Sequence, residues 1–178
     1  MLNALITSKT RIKLLLKFFL NSSAETYLRN LEEEFGESTN GIRIELNKLE
    51  LAGLLSSRTN GNKKMFRANI QHPLFANIHN LLRKDLGFDQ IIEKIVSNLG
   101  DIKQVFLVGK FAQGMDSEII DLIFMGEGVN KNYLVELIEK AEKLISRKIR
   151  YLLLSPAEMK KYLEQRPSTD FLLLWEKD

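Results

Sequence analysis

The chain has no cysteine, which excludes a disulfide framework and any thiolate metal site. Its two histidines, His72 and His79, lack metal-ligand spacing and read as surface or capping residues. No run of 18 apolar residues occurs, so no membrane-spanning helix is expected. The leader-like run Leu14–Leu20 is interrupted by Lys17 and continues an ordinary helical period, so a cytoplasmic protein is expected. The most informative absence is acidic. Between Glu50 and Asp85 there is no Asp or Glu, while Arg58, Lys63, Lys64, Arg67, Arg83 and Lys84 all fall in that gap.

What is present is globular: 178 residues, 44% hydrophobic and 28% charged, enough for one large domain or two small ones. The net charge of +3 is uneven. Residues 1–72 hold 11 Lys and Arg against 7 Asp and Glu, a net of +4; residues 73–178 hold 15 against 16, a net of −1. Basic character confined to one part favours a nucleic-acid module joined to something else.

Thr7 or Ser8 can cap a first helix running to about Leu20, with Ile12, Leu15, Leu16 and Phe19 inward. Ser22-Ser23-Ala24-Glu25 reads as a capping box opening a second helix, with Tyr27, Leu28, Leu31 and Phe35 on its apolar face and Gly36 as its stop. Ser38 caps a third helix to about Ala52, whose core stripe is Ile42, Leu46 and Leu49. At about 100° per residue, Asn40, Arg43 and Asn47 project away from that stripe. Such side chains can meet phosphates or base edges, Asn suiting adenine and Arg guanine. Ile44 and Leu51 also lie outward, where thymine methyls, a partner chain or packing against the hairpin are the alternatives. Gly53 stops the helix. Leu54–Ser57 and Met65–Ala68 then form a hairpin around Asn60-Gly61, a pair suited to positive φ.

Helix, helix, turn, helix and basic hairpin is the layout of a winged helix-turn-helix. The run Ser38-Thr39-Asn40-Gly41-Ile42-Arg43-Ile44-Glu45-Leu46-Asn47-Lys48-Leu49-Glu50-Leu51-Ala52-Gly53-Leu54-Leu55 resembles the recognition helix and first wing strand of ArsR-like and MarR-like bacterial transcriptional regulators. The resemblance covers about residues 5–70. It implies that the helix from Ser38 enters the major groove of double-stranded DNA while the wing meets the backbone, and that the protein is a homodimer. The DNA-binding candidates are Ser38, Thr39, Asn40, Arg43, Asn47, Arg58, Lys63, Lys64 and Arg67.

Asn69–His72 reads as a joint, with Pro73 in the first turn of a new helix reaching Leu86-Gly87. A helix from Phe88 to Leu99 ends at Gly100. Val105–Val108 and Ile119–Met125 read as buried strands, Tyr133–Ser146 as a helix and Ile149–Leu154 as a strand. Ser155-Pro156-Ala157-Glu158 caps a further helix. Phe171–Trp175 reads as a last strand, with a helical turn as the alternative.

This order, with Val108-Gly109-Lys110-Phe111-Ala112-Gln113-Gly114 and Glu118-Ile119-Ile120-Asp121-Leu122, resembles the minimal nucleotidyltransferase domain. That family carries Gly-Ser-x-Ala-x-Gly and Ser-Asp-x-Asp-Leu, whose two Asp share one strand face and hold divalent metal. Here Lys110 stands for the Ser and Ile119 for the first Asp, and around Lys148–Leu154 there is Arg150 and no acid. The expectation is an α+β protein: a winged helix-turn-helix over 1–70, then a small α/β nucleotidyltransferase-like domain with a mixed sheet over 73–178. The second domain is expected to be non-catalytic, without cofactor or metal, and to serve dimerisation or effector binding. Gly109, Lys110, Gly114 and Asp121 are the candidate pocket for a nucleotide or phosphate-bearing effector. The alternatives are a metal-dependent nucleotidyltransferase and a protein-interaction module using the winged helix.

Overall fold

The computed structural model describes residues 2–96, 99, 101–145, 147–167 and 170–177. The chain is α+β and divides into two compact units, Met1–Leu82 and Arg83–Asp178. The division falls inside a helix and not at the joint expected over Asn69–His72.

The first unit runs α1 (Leu2–Leu5), α2 (Lys9–Leu15), a π-helical turn (Leu16–Leu20), β1 (Glu25–Tyr27), α3 (Leu28–Phe35), α4 (Thr39–Leu51), β2 (Leu55–Asn60) and β3 (Lys63–Ala68). Ser8 Oγ accepts from the Arg11 amide at 3.2 Å and so caps α2. Leu14–Leu16 and Phe18–Leu20 are all buried. A one-faced α-helix cannot bury six of seven successive residues, and the π turn changes the phase of the helix where that burial occurs.

The expected capping box at Ser22 does not form. Glu25, Thr26 and Tyr27 are strand β1, paired antiparallel with Arg67, Phe66 and Met65. The helix starts at Leu28, with Tyr27 at its cap position and no side-chain cap. Thr26 and Tyr27 suit a pleated surface, and β3 offers them an open ladder that no local signal reveals. The other stop and start are as expected: Gly36 adopts φ 63° after α3, and Ser38 caps α4.

The sheet order is β1-β3-β2. The hairpin register pairs Asn60 with Lys63, so the two loop residues are Gly61 and Asn62, one position later than Asn60-Gly61. Gly61, at φ 59°, supplies the positive φ that such a turn requires. Ile42, Leu46 and Leu49 are buried as expected, and α4 packs on α2, α3 and β2. Beneath α4, buried Glu45 is held by Arg11 (2.7 Å) and Lys48 (3.4 Å). After β3, the Asn69 side chain donates to the Gly53 carbonyl, and His72 Nδ1 accepts from the Leu74 amide. Pro73 thus precedes α5 (Phe75–Leu86) instead of lying in its first turn. His79 Nδ1 donates to the Phe19 carbonyl at 2.7 Å.

The second unit contains α6 (Phe88–Val96), β4 (Ile102–Val108), α7 (Gly109–Ala112), β5 (Ile119–Gly126), α8 (Lys131–Ile145), β6 (Lys148–Leu154), α9 (Pro156–Glu164) and β7 (Phe171–Glu176). The helix ends expected at Gly100 and Ser146 lie outside the described residues. The sheet is mixed, in order β6-β5-β4-β7, with β5 and β6 parallel and the other pairs antiparallel. Buried Val105, Leu107, Leu122 and Phe124 fill its interior. Phe106, Val108 and Ile123 pack with Met159 of α9. Ser155 and Glu158 complete the capping box at α9, with Pro156 in its first turn. No helix among the described residues is long and apolar enough to cross a membrane.

Candidate nucleic-acid interface

The core stripe of α4 turns Arg43 and Asn47 toward the hairpin. There they line a groove of about 440 Å³ together with Arg29 of α3, Asn62 of the turn, and Lys63 and Lys64 of β3. Tyr27, Leu28, Leu46 and Phe66 form its apolar part, and no carboxylate among the described residues lines it. Arg29, Arg43, Asn47 and Asn62 have no side-chain hydrogen bond or ion pair among the described residues. Lys63 Nζ lies 4.1 Å from the centre of the Tyr27 ring. A ring contact leaves the ammonium's outer donors free for an anion.

The acid-free stretch of sequence is not acid-free in space. Arg58 makes a two-pronged pair with Glu25, both distances 2.6 Å. Lys64 Nζ lies 2.7 Å from Glu50, which also accepts from Ser57 Oγ. Those hydrogen bonds hold both carboxyls below the usual carboxylate range. Arg67 and Arg58 share the sheet face that carries Glu25, while Lys64 is on the alternate face with Phe66. Arg67 reaches Ser56 Oγ at 3.4 Å and lines a different concavity, with Ser22 and Asn69. Lys63 shares the strand face of Arg58 and Arg67, yet at the end of β3 beside the turn it lines the groove with Lys64, whereas Arg58 and Arg67 do not. Arg83 lies outside the hairpin and pairs with Asp89.

At the start of α4, Ser38 Oγ is occupied as the cap, accepting from the Gly41 amide at 3.5 Å. Thr39 is half-buried, and Asn40 is exposed without a side-chain partner among the described residues. Arg29 and Asn62 are absent from the residues expected from sequence. A helix starting at Leu28, not Ser23, would have placed Arg29 in a first turn, and the shifted hairpin register would have placed Asn62 at the tip.

In the second unit, Gly109 and Asp121 do come together, in a pocket of about 410 Å³ with Gln113, Arg150, Tyr162, Arg166 and Asp170. Gly109 adopts φ 67°, and a Cβ there would lie 2.5 Å from Asp121 Oδ2. The expected ring of Gly109, Lys110 and Gly114 does not form. The segment coils into α7, Lys110 points to solvent outside this pocket, and the buried Gly114 gives its amide to the Phe111 carbonyl at 3.0 Å. Arg150 is the direct neighbour of Asp121 across the β5–β6 ladder and donates to its Oδ1 at 2.5 Å. A guanidinium on the carboxylate opposes a divalent cation there. Among the described residues there is no group of three or more His, Asp or Glu that could hold a metal ion. The residues present do not fit the two-metal centre that the nucleotidyltransferase resemblance implies.

No family model matches the chain, and no curated protein matches it. Solved structures do. A candidate nucleotidyltransferase from Sulfolobus solfataricus is 22% identical, covering 56% of this chain and 86% of that one, with a TM-score of 0.36. Sso10a-2, a DNA-binding protein from Sulfolobus solfataricus, is 14% identical over 51% of this chain and 94% of that one, with a TM-score of 0.35. A possible transcriptional regulator for arsenical resistance is 24% identical over 53% of this chain and 90% of that one, with a TM-score of 0.31. Likenesses of this size do not bear on function, which rests on the chain's own geometry.

Proposed function

We propose that the first unit is a winged helix-turn-helix that binds double-stranded DNA and that the chain is a transcriptional regulator. In this reading α4 enters the major groove and the β2–β3 hairpin is the wing against the backbone. The observation that carries it is the groove beside α4, where Arg29, Arg43, Asn47 and Asn62 have no side-chain partner among the described residues and no described carboxylate intrudes. Cations without internal partners retain their charge for phosphates, and binding then releases counterions. The test is titration of the full chain against mixed-sequence duplex over a range of salt. Three or four phosphate contacts give a log–log slope of about −3 to −4. Absence of salt-sensitive binding overturns the reading. Two copies of the chain would read a palindromic site, which selection of duplexes from a random pool reveals.

For the second unit the proposal is a non-catalytic platform for dimerisation or effector binding. Its support is the Asp121–Arg150 pair, which neutralises the carboxylate that Gly109 approaches. Labelled nucleoside triphosphate with magnesium should transfer no label to protein or small-molecule acceptors. Transfer that Asp121→Ala abolishes would replace this proposal with an enzyme.

A further inference from the structure

The outward face of α4 contains one residue that charge does not explain. Ile44 is 46% exposed, although it stands on a helix whose other outward residues in the first three turns are polar. Its neighbours on that face are Asn40, one turn before it, and Asn47 and Lys48, one turn after it. Around the axis, Asn40 lies about 40° and Asn47 about 60° from Ile44, at about 100° per residue. Neither Asn has a side-chain partner among the described residues. Carboxylates near this face are already held: Glu45 by Arg11 and Lys48, and Glu50 by Lys64. The surface is thus an apolar branch set between two free amides and bordered by cations.

We propose that this face reads A·T base pairs in the major groove, with Asn47 on adenine and Ile44 on the thymine methyl. The inference rests on the DNA-binding reading and names the class of sequence that reading leaves open. An A·T pair is matched by such a combination because its major-groove edge presents both the adenine N6/N7 pair and the thymine C5 methyl. The first is a donor–acceptor pair complementary to a side-chain amide. The second is the one apolar group on any base edge in that groove, and burying it against Ile44 removes both from water. Charge favours a polyanion as the occupant: Arg43, without a side-chain partner among the described residues, flanks the Ile44–Asn47 face, Lys48 borders it while paired with Glu45, and no free carboxylate among the described residues opposes a polyanion there. Leu51, 89% exposed, is on the same side but about 10.5 Å farther along the helix, beyond the amides. It has no part in this readout.

The experiment uses the full chain and duplexes selected from a random pool at low salt. The selected duplex is resynthesised with 2′-deoxyuridine replacing thymidine one position at a time, which removes the methyl and keeps the base pairing. At one thymine per half-site, wild-type affinity should fall about fourfold, the fold-change that loss of one buried methyl group brings. Ile44→Ala should lose a similar factor on the thymidine duplex and be indifferent to the uridine replacement. Leu51→Ala should keep the wild-type discrimination. Ile44 is solvent-facing, so thermal unfolding of the variant should match wild type, and Ile44→Val, which keeps two methyls, should retain part of the discrimination. If duplex binding is salt-sensitive but uridine is tolerated at every position, or if Ile44→Ala still discriminates, this proposal falls and the DNA reading stands. If no duplex binds in a salt-sensitive way, both fall.

Discussion

The groove beside α4 and the pocket beside Asp121 are similar in size, about 440 and 410 Å³, and both contain arginines and tyrosine rings. They differ in what their charges already do. In the groove, Arg29 and Arg43 face solvent without partners among the described residues, and Lys63 rests on a ring. In the pocket, Arg150 is paired with Asp121, and Arg166 lies over Tyr162 at 4.0 Å near a second carboxylate, Asp170. The same side-chain types therefore present a net positive cavity in one unit and a largely compensated one in the other. The groove is lined by four cations and no described carboxylate, the pocket by two cations and two carboxylates, and the partners of those cations widen the difference.

The largest expected effect is the one that separates the two arginines. Arg43→Ala should weaken duplex binding by about tenfold to a hundredfold, as expected for an arginine at a base edge. Arg150→Ala should leave it unchanged. Equal losses in one titration series would break the contrast. Neither arginine is buried, so thermal melts of both variants should show folded protein.

Next in size is a pair of glycines. Gly109→Ala places a methyl 2.5 Å from Asp121 Oδ2 at φ 67°, so it carries a steric clash as well as a left-handed backbone. Gly61→Ala, at φ 59°, meets nothing within 4 Å and carries only the conformational term. The first should cost about 2–3 kcal/mol and the second about 1 kcal/mol. Urea unfolding measures both. Trp175, the single tryptophan, sits in β7 and reports the second unit. Similar losses at the two sites would mean that Arg150 does not pin Asp121 in place.

Acid should act more on the first unit. Burial opposes the charge on Glu45 and Glu37, yet hydrogen bonds and charge from Arg11 and Lys48, and from Lys13 and Thr10, outweigh it and lower both pKa values below the ordinary 4.5. A carboxyl with a lowered folded pKa stabilises the fold above its unfolded value, and that contribution disappears as pH falls through the folded value. Stability should therefore hold from neutral pH to about 4.5 and decline below it. Glu45→Gln should flatten the decline, which hydrogen exchange of the α4 amides would measure. An unchanged acid limb would show that the Arg11–Glu45 pair does not couple to folding.

Much of this organisation is legible where the signal is local. Ser8, Ser38 and Ser155 all cap helices, Gly36 ends one, and the apolar runs of the second unit are strands. The contrast between two Ser-x-x-Glu patterns shows the limit. Ser155–Glu158 forms a capping box, while Ser22–Glu25 leads into β1 because β3, about 40 residues later, offers a strand partner. Non-local pairing also hides the fate of charges. Glu25 and Glu50 are outside the acid-free run, yet they take Arg58 and Lys64. Arg150 is visible in sequence, but its place opposite Asp121 depends on the parallel register of β5 and β6. Arg29 is invisible as a groove residue until α3 is known to begin at Leu28.

The smallest effect sharpens the boundary between free and paired charge inside the groove itself. Lys63 and Lys64 are adjacent, but among the described residues only Lys64 has a carboxylate partner, Glu50. If partners decide the outcome, Lys63→Ala should reduce the salt slope of duplex binding by about one, and Lys64→Ala by less. Glu50→Gln should then release Lys64 and steepen the slope by up to about one, with a modest gain in affinity at low salt. In the Glu50→Gln background, Lys64→Ala should acquire the full effect that Lys63→Ala has in the wild type. If Lys64→Ala is as damaging as Lys63→Ala while Glu50 is intact, DNA draws Lys64 away from its partner. An ion pair within the protein would then not withhold a cation from DNA, and the contrast between the groove and the Asp121 pocket would rest on Arg150 alone.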